Sequence, residues 1–128
     1  MDMDYLIYSN NLYPLFYNPI FLGFFSTGIL FIIGGYILLK NPPKEINWLY
    51  GYRTKISMKN QKLWDFAQTY SAKVLMKLGL ALTSISLLGL IYTPTIEVAL
   101  MLTLIVIIFN VVLLVYLVEK KLKQQYFF

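Results

Sequence analysis

Three stretches without a charged side chain constrain this chain more than anything else in it. Ile20–Leu39, Leu78–Thr93 and Val98–Val118 contain no Asp, Glu, Lys or Arg. The first and third run to 20 and 21 residues, and a helix needs about 20 apolar residues to cross a hydrocarbon core roughly 30 Å thick. The second is charge-free over 16 residues, but Val74–Met76 extend it, and the long stem of Lys77 can carry its ammonium to the interface. The expectation is an all-α membrane protein with three transmembrane helices at about 20–39, 74–93 and 98–118. Only 13% of residues are charged, against about 25% in a soluble domain. At 128 residues the chain is too short for two independent domains, so 1–128 reads as a single transmembrane domain. Asp2 and Asp4 precede the first run, and no Lys or Arg appears before Lys40. A secretory signal would have a basic start and a shorter apolar stretch, so the run is expected to be retained.

The cations are confined to two places. Lys40, Lys44, Arg53, Lys55, Lys59, Lys62, Lys73 and Lys77 lie between the first two runs, and Lys120, Lys121 and Lys123 follow the third. The N-terminal arm and the Thr93–Glu97 turn have none. Because cytoplasmic loops carry the Lys/Arg excess, the expected topology is N-terminus outside and C-terminus cytoplasmic. The net charge of +5 then serves orientation and attraction to anionic lipids of the bilayer, with no direct nucleic-acid role. Cysteine and histidine are both absent, which removes disulfides, thiolate nucleophiles and imidazole ligands. No cofactor, metal site or catalytic residue is expected.

Local signals subdivide the chain. Residues 1–18 carry Tyr5, Tyr8, Tyr13, Phe16 and Tyr17 and read as an external interfacial arm. Asn18-Pro19 looks like a helix start, and Asn41-Pro42-Pro43 a helix end. Within a cytoplasmic segment at 40–73, Ser57 is positioned to cap a helix by accepting from the Asn60 amide. Leu63, Trp64, Ala67, Tyr70, Ser71 and Val74 then recur at helical spacing, so an amphipathic helix at about 57–73 should lead into the second span. The short Thr93-Pro94-Thr95 break makes helices two and three an antiparallel hairpin. Small residues mark packing faces: Gly23, Thr27 and Gly34 in the first span, and Gly79, Thr83, Ser86 and Gly89 in the second. Asn110, the strongly polar side chain in the third span, is expected to bond across to Ser84 or Ser86.

The stretch from Tyr50 to Trp64, YGYRTKISMKNQKLW, is unlike the rest. Asn47 to Tyr52 offers aromatic anchors around Gly51. Arg53 is the only arginine in the chain, and its planar fork suits a lipid phosphate, a carboxylate such as Asp65, or helix-terminal carbonyls. Trp64 is expected to seat its helix in the membrane interface. The arrangement N-x-x-Y-G-Y-R-T-x-x-S-M-K-N-x-x-x-W-x-x-A, over residues 47–67, resembles the signature of the SdpI family of bacterial membrane proteins. Asn47, Gly51, Tyr52, Arg53, Thr54, Ser57, Met58, Asn60, Trp64 and Ala67 carry it. Gln68 stands where that family often has Asn or His, and Ala72 where it has glycine.

The family is named for a protein that protects its producer from a secreted killing peptide and holds a transcriptional repressor at the membrane. The resemblance therefore implies a multi-pass protein of the bacterial cell membrane, serving toxin immunity or membrane signalling. It would dock a cytosolic regulatory protein, or meet a peptide toxin, through Asn47, Gly51, Tyr52, Arg53, Thr54, Ser57, Asn60 and Trp64. Two alternatives stand beside it. One is a small channel or carrier made by homo-oligomerisation, although no intramembrane charge marks an ion path. The other is a lipid-acting membrane enzyme, although the acids form no cluster and imidazole and thiol are lacking.

Overall fold

The computed structural model describes residues 13–126, and among them every regular element is helical. A short helix α1 (Tyr13–Phe16) precedes α2 (Pro19–Lys40), α3 (Gln61–Ile85) with a 3-10 turn continuing it (Ser86–Leu90), and α4 (Ile96–Tyr126). The last three are long and apolar enough to cross a membrane, with mean hydropathies of 2.1, 1.6 and 3.1. Tyr5 and Tyr8 of the expected interfacial arm lie outside the described residues.

Asn18 starts α2 as its pairing with Pro19 suggests, and does more. Its Oδ1 accepts from the amides of Ile20 and Phe21. Its Nδ2 reaches 71 residues along the chain to the Gly89 carbonyl at 3.0 Å, and also meets Tyr92 O and Thr93 Oγ1. One buried amide thus caps α2 and holds the end of the second span. That span was expected to stay helical to about residue 93. Instead it tightens into the 3-10 turn at Ser86, where the late carbonyls turn toward Asn18.

The tightest pairing is between α2 and α3, which run antiparallel with backbone against backbone. A Cβ on Gly28 would lie 2.7 Å from the Gly79 carbonyl oxygen, and one on Gly79 would lie 2.6 Å from that of Gly28. One on Gly35 would lie 2.7 Å from the Ala72 carbonyl oxygen. In lipid, where burial of apolar surface gives helices no reason to associate, such close approach lets dispersion drive the pairing. The expected α2 face is therefore corrected. Gly28 and Gly35, seven apart, meet α3, whereas Gly34 has only a Leu75 methyl at 3.8 Å and Gly23 faces Thr103 of α4.

α4 packs more loosely. Ala99 sits with Ile20 and Phe24 of α2, supported by Leu102 and Val106. Most of the remaining apolar side chains along its span are exposed, as suits lipid contact. Asn110 is buried, but its Nδ2 donates to Val106 O, one turn back in its own helix, at 2.8 Å. Ser84 and Ser86 likewise bond to Leu80 O and Thr83 O within their own segment. The expected clamp between the second and third spans is replaced by intrahelical bonds, because a carbonyl three or four residues back is always within reach of such side chains.

Two helix limits also differ from expectation. α3 is one continuous helix from Gln61, and its cap is Asn60, whose Oδ1 accepts from Leu63 N at 2.9 Å. α4 continues past Val118 to Tyr126, because Glu119 to Gln125 are good helix formers without Gly or Pro. Val118, Leu122 and Tyr126 fall at four-residue intervals and keep one apolar stripe facing α3.

The two glycine environments give a direct test by thermal melting in detergent. Gly79→Ala should cost about 1–3 kcal/mol, because the added methyl meets helix backbone that cannot yield. Gly34→Ala should be neutral or stabilising by about 0.5–1 kcal/mol, since its methyl meets only a Leu75 methyl at the ordinary contact distance of 3.8 Å and gains helix propensity. Equal effects would refute the Gly28–Gly79 contact as the seam.

Candidate functional site

At the basic end of the bundle, residues 41–60 fold into a compact corner between the start of α3 and the tail of α4. Its centre is Gln68, fully buried and about two turns above the base of α3. The Gln68 Oε1 accepts from Tyr52 N at 2.7 Å, and its Nε2 donates to Tyr52 O at 2.9 Å. A single side-chain amide thereby satisfies both polar groups of a buried peptide residue, which would otherwise have no ladder to join. The chain passes so close to this amide that Gly51 is required. Its φ is +103°, and a Cβ there would lie 2.3 Å from Gln68 Oε1.

The neighbouring signature residues close the corner around that bond. Asn47 forms an Asx turn, its Oδ1 accepting from Leu49 N and Tyr50 N at 2.9 Å each. The Arg53 guanidinium donates to the Trp48 carbonyl across the same turn, and the Tyr50 hydroxyl donates to Asn41 O at the end of α2. The Trp48 carbonyl lies within the turn, so Arg53 takes neither of the protein partners its fork suits, Asp65 or a helix-terminal carbonyl. Asp65 instead accepts from Gln61. Ser57 is wholly buried. Its Oγ accepts from Thr54 N at 2.8 Å and lies 3.2 Å from the Tyr52 and Thr54 carbonyls. It therefore stitches the loop that leads to the helix, one turn before the cap, and the expected Ser57 cap passes to Asn60.

Trp64 corrects another expectation. It is 0% exposed, and its Nε1 donates to Pro43 O at 2.8 Å. Its indole is core that pins the prolines after α2, and it does not sit in the interface. The exposed tryptophan is Trp48.

The tail of α4 completes the corner. Glu119 Oε1 accepts from the Tyr52 hydroxyl at 3.0 Å and from Thr54 Oγ1 at 2.6 Å. Burial, and then the adjacent Glu119 carboxylate, push the Tyr52 phenol well above its ordinary range, so it stays a donor throughout physiological pH. Beneath these bonds Tyr52, Leu63 and Ala67 pack against Val118 and Leu122, flanked by Ile56, Phe66, Tyr70, Leu114 and Tyr126. Phe66 meets Tyr70 and Tyr126, each at 5.5 Å between ring centres.

The structure thus brings Asn47, Gly51, Tyr52, Arg53, Thr54, Ser57, Asn60 and Trp64 into one corner, and places Asn110 apart from it within α4. Sequence reasoning missed Gln68, Glu119 and Leu122. Glu119 had a signal, as the acid directly following the third apolar run. Gln68 had one too, as the position where the resembled signature often has Asn or His, whereas Leu122 had none beyond helical spacing. Among the described residues, no three His, Cys, Asp or Glu side chains come together as a metal site. A shallow groove of about 310 Å³ lies beside the corner, lined by Pro42, Pro43, Lys44, Asp65, Gln68 and Thr69. On the outside, Arg53, Lys55, Lys59 and Lys62 are exposed.

Comparison with known proteins bears directly on this corner. The model of the SdpI/YfhL protein family matches residues 44–118, which hold the corner and the second and third spans. A relative from Bacillus subtilis (strain 168), described as "Uncharacterized protein YfhL", is 46% identical over 61 residues. That alignment covers 48% of this chain and 56% of the relative, so the match spans about half the relative's length. No solved structure matches.

The Gln68 amide can be tested against its exposed neighbour. Gln68→Leu leaves the Tyr52 N–H buried and unpaired, and leaves its C=O with the Ser57 hydroxyl alone, and should cost about 1–3 kcal/mol. Gln61→Leu removes bonds at an exposed site and should stay within about 0.5 kcal/mol. Thermal melts in detergent compare the two, and a silent Gln68→Leu would remove the bond from the centre of the corner.

Proposed function

We propose, from the premise that this chain belongs to the SdpI/YfhL family, that it is a non-catalytic multi-pass membrane protein acting through its basic corner. In this reading the corner faces the cytoplasm and docks a cytosolic regulatory protein, in the service of immunity to a membrane-active peptide or of signalling. One observation carries the reading. The signature side chains Asn47 and Ser57, with Gln68, are spent on internal hydrogen bonds. The surface over them is cationic, with Arg53, Lys55, Lys59 and Lys62 all exposed although Arg53 also holds the Trp48 carbonyl. An active site would aim its polar groups at a substrate. A docking module needs a rigid scaffold under a charged surface, and electrostatic complementarity then selects and steers the partner.

Two measurements test this. Cells making the chain should survive a secreted membrane-active killing peptide better than cells that lack it. A Lys55→Glu/Lys59→Glu pair should abolish that advantage at unchanged membrane level. Equal survival with and without the chain rejects immunity, and full protection by the reversed pair rejects docking through the cations.

Orientation is a separate expectation, resting on nine of the eleven cations at one end of the bundle, while Lys73 and Lys77 lie along α3 beside the Gly28 to Gly35 stretch of α2. A cysteine replacing Gln124 should react with an impermeant thiol reagent only after permeabilisation, and one replacing Glu97 should react in intact cells. The reverse pattern would put the basic corner outside.

A further inference from the structure

The corner has one surface that its internal bonding does not explain. Leu49 is 92% exposed and Trp48 78% exposed, at the tip of the Asn47 turn. Such side chains in a loose loop would fold back onto the protein, but here the backbone holds them out. Asn47 Oδ1 accepts from two successive amides, the Asn47 Nδ2 donates to Glu45 O, and Arg53 ties the Trp48 carbonyl from the other side.

Tyr50 anchors this tip. Its hydroxyl donates to the carbonyl of Asn41 at 3.1 Å, and Asn41 is the residue immediately after the membrane-crossing helix α2. Leu49 and Trp48 are one and two residues from Tyr50, within about 7 Å of it along even an extended chain. The exposed tip is thus tethered to the residue at which α2 ends. Lys40 lies at the end of α2 with its ammonium 5.9 Å from the Tyr36 ring centre, and Lys44 lies at the rim of the Pro42-Pro43 groove. Both lysines precede the tip in the chain and are exposed, with Glu45 as the nearby acid. Amphipathic aromatic rings favour the membrane interface. Lysines beside it are drawn to anionic headgroups, each by about 1 kcal/mol near the surface.

We propose that the Asn47 turn is a preformed lipid wedge: Trp48 and Leu49 insert at the headgroup–acyl boundary beside α2, with Lys40 and Lys44 on lipid phosphates. The occupant of this apolar tip is lipid, and the cytosolic partner is left the face bearing Lys55 and Lys59. The wedge needs only that α2 crosses the membrane. It stands whether the corner faces the cytoplasm or the exterior, and whether or not a partner docks.

The chain contains two tryptophans, and Trp64 is buried in the corner. Subtracting the emission of Trp48→Phe from that of the wild type isolates Trp48 without disturbing the Trp64 core. The full chain is placed in nanodiscs of phosphatidylcholine and phosphatidylglycerol, where both leaflets are accessible from water. Blue-shifted difference emission is expected, strongly quenched by lipids brominated near the carboxyl end of the acyl chain. Bromines near the chain terminus should quench it less, and iodide in the water little. Replacing phosphatidylglycerol by phosphatidylcholine should weaken the lipid quenching, as should Lys40→Gln/Lys44→Gln. Red-shifted emission quenched by iodide and untouched by brominated lipid would overturn the wedge and leave the tip free for a protein. Quenching independent of both lipid charge and the two lysines would overturn the phosphate contacts.

Discussion

The basic end of this protein depends on one side-chain amide. Gln68 pairs with both the N–H and the C=O of Tyr52 in a site closed to water, and the surrounding geometry follows from that bond. The approach it demands forces Gly51 to a φ of +103°. Tyr52, held in register, sends its phenol toward α4, where Glu119 receives it together with Thr54. The pairing is worth more than its own hydrogen bonds because the Tyr52 N–H would be stranded without it, and a stranded buried group costs its full desolvation. A glutamine fits because its amide matches a peptide group in donor and acceptor, and because α3 fixes its depth.

The membrane-crossing part works differently. There the hydrophobic effect gives helices no preference for each other over lipid, so contact depends on how closely backbones approach. Gly28 and Gly79 supply that approach between α2 and α3, and Asn18 secures the far end. α4 has neither device along much of its length and is held mainly at its two ends. Near one end Ala99 sits against α2. At the other, Glu119, Val118 and Leu122 engage the corner. Two of the three spans form a close-packed pair, and the third joins that pair at both ends, through Ala99 on α2 and through the signature corner. The architecture therefore couples the position of α4 to the segment that carries the exposed cations.

The two tryptophans divide the labour of the corner. Trp64 is spent internally, its ring in the core and its N–H on Pro43 O. Trp48 is spent externally, at the tip of a turn stiffened by Asn47 and Arg53. Residues of one type in one motif thus take opposite environments, because Trp64 lies on the helix face that meets the Pro42-Pro43 linker while Trp48 lies where the chain reverses.

The sequence by itself determined that the chain has three apolar helices, that α2 begins at Asn18-Pro19, and that the cations gather in two segments. These are local properties, set by run length, proline and capping chemistry, and charge. It also marked the signature residues as a group, although not what each of them does. The tertiary structure decided the rest. Whether a glycine meets helix backbone or only a side-chain methyl depends on rotations of one residue, so Gly28 and Gly35 could not be told from Gly34 by spacing. Ser57 could bond forward to Asn60 or back to Thr54, and Asn110 across to Ser84 or Ser86 or back to Val106, and only packing selected between them. Gln68 and Glu119 reach their partners across 16 and 65 or more residues. No local pattern reports such a pairing, because it exists only once α3 and α4 have brought their ends to the same corner.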